Sequence, residues 1–169
     1  NFYTFRPADG NENAASWQAA LNLNAPSAFV LSRQGLDPLA KGEFGEVGNG
    51  AYLLSSAKDA KITFIASGSE VSLCVKAAAL LAEQGVGANI VSAPCFDLLC
   101  EQPAEYVARI LDKNTTIIAV EAATGYEWYK FADAVYGMNS FGASGKANEL
   151  FDHFGFTPQK LANFASELI

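Results

Sequence analysis

The chain has 169 residues, half of them apolar, which is enough for one buried core and part of a second. Its formal net charge of -7 excludes the clustered lysine and arginine on which binding to nucleic acid or anionic membranes rests, so an anionic ligand would have to be gripped locally. Neither a run of about 18 apolar residues nor a secretory leader is read, and Cys74, Cys95 and Cys100 lack the spacing of a disulfide framework or a zinc site, which favours a reducing compartment.

The chain opens on Asn1, and residues 2–7 read like the interior of a longer sequence, so a fragment is expected. Asp9 and Glu12 form a D-x-x-E capping box that starts a helix through about Leu23, with Ala14, Trp17 and Leu21 predicted to face inward. Pro26 ends that connection, and residues 27–32 read as a buried strand finishing on Arg33. One helix and one strand cannot make a sheet. This piece is therefore expected to belong to a domain whose other strands lie elsewhere, or to dock onto something else. Residues 35–50 carry five glycines without sustained periodicity, the composition of a linker.

Residues 51–54 and 61–66 are the next predicted strands. The turn between them is too short for a crossover, so they are expected to pair antiparallel. The stretch 61–85 is the seed of an α/β sheet. Residues 62–66 are nearly all apolar, the pattern of a strand covered on both faces. Ser67 and Glu70 read as an S-x-x-E capping box, with Gly68 allowing the turn. Val71, Cys74, Val75, Ala78, Leu81 and Ala82 follow at helical spacing, and Gly85 stands where a left-handed cap belongs. Residues 89–92 form a third strand stopped by Pro94, and residues 103–111 a helix with a Glu105/Arg109 pair. Residues 116–120 are a fourth strand ending on Glu121, and residues 134–137 a short fifth. Helices at 146–154 and 158–169 close the chain, the last capped by Thr157 and packing through Leu161, Phe164, Ala165 and Leu168.

Candidate chemistry is sparse. His153 is the single histidine and stands among Phe151, Phe154 and Phe156, so a structural role is preferred to nucleophilic catalysis. Residues 141–146, FGASGK, half-match a phosphate loop, but the first glycine is absent and Ala147 fills the magnesium-binding Ser/Thr position, so they read as a turn before a helix. Gly68 at a helix start could bind an anion, yet Glu70 already places negative charge there. Glu121 ends a central strand where open α/β sheets keep ligands, with buried pairing as its plainer reading. Arg33, ending an apolar strand in an acidic chain, suits a bidentate grip on phosphate or carboxylate.

Five stretches, RPADGNE (6–12), LSRQ (31–34), ASGSEV (66–71), FGASG (141–145) and FGFT (154–157), occur in the order and approximate spacing of transketolases. The resemblance covers essentially the whole chain. RPADGNE with LSRQ is its specific part, because deoxyxylulose phosphate synthase and the pyruvate dehydrogenase β subunit share the fold but differ at both motifs. Transketolases usually have asparagine after LSRQ, where this chain has Gly35.

The resemblance implies an α/β fold, with residues 1–41 the tail of the pyrimidine-binding domain, residues 42–46 a linker and residues 47–169 the C-terminal domain. That domain is expected to be a three-layer α/β/α unit whose mixed five-stranded sheet is mostly parallel with one antiparallel edge strand. The implied reaction is transfer of a two-carbon ketol unit from a ketose phosphate to an aldose phosphate in the pentose phosphate pathway. Of the family's substrate contacts, the arginine of LSRQ, here Arg33, is implied to hold the sugar phosphate. The thiamine diphosphate and its divalent cation, magnesium or calcium, are implied to be bound by residues upstream of Asn1, as are the catalytic residues, so no catalytic, cofactor or metal residue is expected within the chain. A cytoplasmic homodimer is implied, joined to upstream domains of the same chain, with no nucleic-acid or membrane partner. A non-catalytic dimerisation or regulatory module, and the tail of a dihydroxyacetone synthase, are the alternatives.

Overall fold

The computed structural model describes residues 1–39 and 44–169; residues 42 and 43 of the expected linker lie outside them. The chain runs β1 (Tyr3–Phe5), α1 (Gly10–Asn22), β2 (Ser27–Phe29), a 3-10 turn (Phe44–Asn49), β3 (Tyr52–Ser55), β4 (Ile62–Ala66), α2 (Ser69–Glu83) and β5 (Ala88–Ser92). It continues with α3 (Phe96–Cys100), α4 (Ala104–Ile110), β6 (Thr116–Val120), a second 3-10 turn (Tyr126–Lys130), β7 (Ala134–Tyr136), α5 (Ala147–His153) and α6 (Pro158–Ser166). Among the described residues no helix is long and apolar enough to cross a membrane.

β4 is buried along its whole length, so it needs a strand on each side and a helical layer on each face. It has them: the larger sheet has the order β3-β5-β4-β6-β7, parallel throughout except for the antiparallel pair of edge strand β3 with β5. Strand residues alternate between two cores. Ile62, Phe64 and Ala66 face α2 and α6 through Val71, Cys74, Leu81 and Leu161, whereas Ile65, Val91 and Ala119 face α3 and α4 through Leu99 and Ile110. The result is the three-layer mixed sheet expected from the resemblance.

Several local expectations differ from the structure. β3 and β4 do not pair, because α2 carries the chain back to the far side of β4 and lays β5 between them. The buried face of α2 is Val71, Leu73, Cys74, Ala77 and Leu81, while Val75 is exposed; the stripe is rotated from the one read in sequence. Leu168 lies beyond the end of α6 and is exposed, although Leu161 and Ala165 are buried and Thr157 Oγ1 caps the helix by accepting from Lys160 N. Arg109 pairs across the fold with Glu46.

The first segment is a βαβ unit, since β1, too short to stand out beside Pro7, pairs parallel with β2. Asp9 caps α1 as expected, accepting from Glu12 N at 2.7 Å. The inward face of α1 is Glu12 and Ser16; Ala14 is exposed, and Trp17 and Leu21 are 50% and 79% exposed. Nor is the 27–32 stretch a buried strand. β2 is half-buried and pairs with β1, and Val30 and Leu31 beyond it are exposed.

Gly50 joins the 3-10 turn to β3 at φ +87°, and a Cβ there would lie 2.2 Å from Leu99 N and 2.5 Å from Cys95 O. Neither backbone atom has room to withdraw. Left-handed strain plus overpacking make Gly50→Ala about 2–4 kcal/mol destabilising, read from the urea midpoint of the chain; an unchanged midpoint would contradict the packing described.

Candidate functional site

Arg6, immediately after β1, lies at the carboxyl ends of β4 and β6, where α2 departs from β4. That is the crevice in which open α/β sheets keep their ligands. Here the chain fills it with its own side chain. Arg6 Nη2 donates to Glu70 Oε2 at 3.0 Å, and Nη1 donates to Ser67 Oγ at 3.0 Å and to Glu121 Oε1. Ser67 Oγ donates on to Glu121 Oε2 at 3.1 Å, and Ser69 Oγ donates to Glu70 Oε1 at 2.7 Å. Gly68, at φ +56°, is the N-cap of α2 and closes on the guanidinium, since a Cβ there would sit 3.4 Å from Arg6 Nη2.

These bonds correct the expected S-x-x-E capping box. No side chain caps α2; Ser67 and Glu70 are turned to Arg6, because a buried carboxylate gains more from a cation than from a backbone amide. Glu121 has the buried pairing that sequence left open beside a ligand role. Burial alone would lower the Arg6 pKa, but the Glu121 and Glu70 carboxylates override it and raise the value. Burial pushes the Glu70 carboxyl up, against the pull of Arg6. The Gly68 amide donates to Arg6 O at 2.8 Å and is thereby withdrawn from anion binding.

A second knot lies behind the first. Glu12 is fully buried, and its Oε1 accepts from Tyr52 OH at 2.8 Å and Ser92 Oγ at 2.5 Å, while Oε2 accepts from Ala8 N. Asp9 Oδ2 also accepts from Leu39 N at 2.8 Å. The RPADGNE stretch is thus a clasp between residues 1–39 and the larger sheet. Residues 3–6 extend it: Tyr3 OH donates to Glu101, Thr4 N to Asp97, and Arg6 N to Pro94 O at 2.7 Å.

Burial raises the Glu12 pKa although Ser92, Ala8 and Tyr52 all donate to it. A carboxyl raised on folding contributes most below its ordinary value near 4.5 and loses that contribution as pH climbs through the folded value. Glu12→Gln does not titrate and sets an amide nitrogen against Ala8 N–H, a loss of about 1–3 kcal/mol. The advantage of wild type over this variant is expected to narrow in urea unfolding as pH rises above the ordinary carboxyl value near 4.5. A widening advantage would contradict the burial of Glu12 as its dominant influence.

Arg33 is exposed in the segment after β2 and lines a cleft of about 640 Å³ with Gln34, Ser144, Gly145, Lys146 and Phe151. Arg33 and Lys146 put two cations on its walls, and among the described residues no carboxylate lines it, although Glu149 Oε1 lies 3.4 Å from Lys146 Nζ. By contrast, the hollow of about 410 Å³ beside Arg6 is lined by Asp97, Glu121 and Glu127. The FGASGK stretch is indeed a turn leading into α5, and it faces LSRQ across the cleft. His153 is exposed, with its ring edge-on to Phe154 at 4.8 Å. The pairing roles of Arg6, Tyr52 and Ser92 escaped sequence reading, and Ser67 was read as a helix cap. The hint of the Arg6 pairing was two glutamates, Glu121 at the end of β6 and Glu70 in the first turn of α2, beside strands too apolar to leave a charge unpaired.

A family model described as the transketolase-like TK C-terminal domain matches residues 50–157, well over half of the chain. The chain belongs to the transketolase C-terminal domain family. Curated transketolases match it along its whole length: transketolase 1 of Saccharomyces cerevisiae is 41% identical over 170 residues, and the transketolase of Cereibacter sphaeroides 40% identical over 176. Among solved structures, transketolase from Campylobacter jejuni is 54% identical with a TM-score of 0.91, covering 97% of this chain and 26% of its own. A transketolase from Pichia stipitis in complex with sedoheptulose 7-phosphate is 38% identical with a TM-score of 0.94, covering 99% and 25%. The chain therefore spans about a quarter of the length of the transketolases it matches. Over that quarter it has the fold of those transketolases.

Thiamine diphosphate with a divalent cation is the cofactor the family implies. Among the described residues no group of three or more His, Cys, Asp or Glu is placed to hold a metal ion, and the Glu70 and Glu121 carboxylates are bound to Arg6. The residues present do not fit the cofactor, and none is assigned to it.

Proposed function

We propose that the chain is the C-terminal part of a transketolase whose full-length form transfers a two-carbon ketol unit from a ketose phosphate to an aldose phosphate, in the pentose phosphate pathway. In this reading residues 1–41 complete the pyrimidine-binding domain and residues 47–169 are the C-terminal domain. Thiamine diphosphate and its magnesium or calcium ion are held by residues outside the chain, and the parent is a cytoplasmic homodimer. Arg33 grips the terminal phosphate of the sugar, at the end of the substrate away from the carbon–carbon bond that breaks.

The observation that carries the reading is the Arg33 cleft, lined among the described residues by two cations and no carboxylate in a chain of net charge -7. Such a lining suits an anion, and the relative crystallised with sedoheptulose 7-phosphate binds a ligand of that kind. The test is a ketol-transfer assay on the full-length protein beside the isolated chain. The full-length protein is expected to turn over a ketose phosphate with an aldose phosphate acceptor. The chain alone is expected neither to do so nor to bind thiamine diphosphate with magnesium in titration calorimetry. Inactivity of the full-length protein, or micromolar cofactor binding by the chain, would overturn the reading.

A further inference from the structure

We propose that Lys146 is a second phosphate-binding residue, so that the sugar's terminal phosphate is held between two cations, Arg33 from the segment after β2 and Lys146 from the turn before α5. This rests on the reading of Arg33 as the phosphate ligand and extends it to the FGASGK stretch, which no step of the reaction had used.

The argument begins with charge. The chain has 11 lysines and arginines against 18 acidic residues, so a wall lined among the described residues by two cations, with Glu149 beside one of them, departs from the sign of the whole. A phosphate dianion bound by one arginine fork keeps oxygens free, and a lysine ammonium, a compact point charge on a flexible stem, suits them. Lys146 is free to move there. Its Nζ lies 3.4 Å from Glu149 Oε1, with the two side chains 80% and 64% exposed, and an exposed pair of this kind holds a lysine weakly. The backbone that carries it, by contrast, is held. Leu150 N donates to Lys146 O at 3.0 Å, and a Cβ on Gly145 would sit 3.2 Å from Leu150 Cδ2, so the turn lies pressed against the helix it begins. Ser144 brings a hydroxyl to the same wall. A cleft of about 640 Å³ also falls within the range that takes a small metabolite.

The experiment is steady-state kinetics of the full-length enzyme with Lys146→Ala, Lys146→Glu, Arg33→Ala and the Ala double variant. Each is run with a phosphorylated donor, fructose 6-phosphate, and a donor without phosphate, hydroxypyruvate. Lys146→Ala is expected to raise KM for fructose 6-phosphate about five- to twentyfold with kcat within about twofold and hydroxypyruvate unaffected; Lys146→Glu should raise it further. Phosphate-specific loss in Arg33→Ala without any in Lys146→Ala and Lys146→Glu overturns the role of Lys146 and leaves that of Arg33 standing. Equal loss on both donors in the Lys146 variants also overturns it. If no variant separates the donors, the Arg33 reading itself fails and this one falls with it. Lys146 is too exposed for its loss to unfold the protein, so the comparison is one of binding.

Discussion

Arg33→Ala in the full-length enzyme is expected to raise KM for a phosphorylated donor about tenfold to about a hundredfold while changing kcat much less. Arg33 would donate charge-assisted hydrogen bonds to a phosphate remote from the reacting carbons, and such bonds are equally strong in the ground and transition states. Losing one costs about 1.5–3 kcal/mol, and uniform binding of this sort appears in KM. Arg33→Lys should restore part of the loss, since the charge is kept and the planar fork is not. The competing account makes Arg33 a structural partner of some carboxylate. It predicts a lower melting temperature and equal losses for fructose 6-phosphate and hydroxypyruvate. Matching losses on the two donors would remove Arg33 from the phosphate site.

The second large effect is on stability. Arg6→Ala leaves Glu70 and Glu121, 1% and 5% exposed, with neither cation nor fork, and breaking a buried ion pair on one side costs about 3–5 kcal/mol. Arg6→Lys should recover less than half of that, because one ammonium replaces two guanidinium nitrogens that reach different carboxylates and Ser67. The remedy that distinguishes desolvation from simple loss of packing is to neutralise the orphans. Glu70→Gln and Glu121→Gln on the Arg6→Ala background should raise the urea midpoint again, whereas in a chain that retains Arg6 they should lower it. A loss below about 1 kcal/mol in Arg6→Ala would mean that the knot is solvated and contributes as a surface pair does.

The legible parts of the fold were those dictated by burial on both faces. β6 falls on the predicted residues and β4 and β5 begin within one residue of theirs, because Ile, Val and Phe in five-residue runs leave no other reading. The Asp9 and Thr157 caps were legible for the same kind of reason, since each needs only a side-chain oxygen three residues before an amide. Long-range choices were not. Ser67-x-x-Glu70 is a sound capping box in isolation, and only the arrival of Arg6 from 61 residues earlier redirects both side chains. Trp17 and Leu21 have the spacing of a core face, yet α1 turns Glu12 and Ser16 inward because the clasp to Tyr52 and Ser92 fixes its rotation. For the site, Arg33 was visible as a cation ending an apolar run. Lys146 was visible only inside a motif that failed as a phosphate loop, and the cleft that joins the two is a property of tertiary packing.

The most direct measurement of the account's central claim is a crystal structure of the full-length enzyme with a ketose phosphate bound. The account predicts the Arg33 guanidinium within about 3 Å of the phosphate oxygens, the distance of a charge-assisted hydrogen bond. A phosphate held wholly by residues outside this chain, with Arg33 turned to a carboxylate, would contradict it.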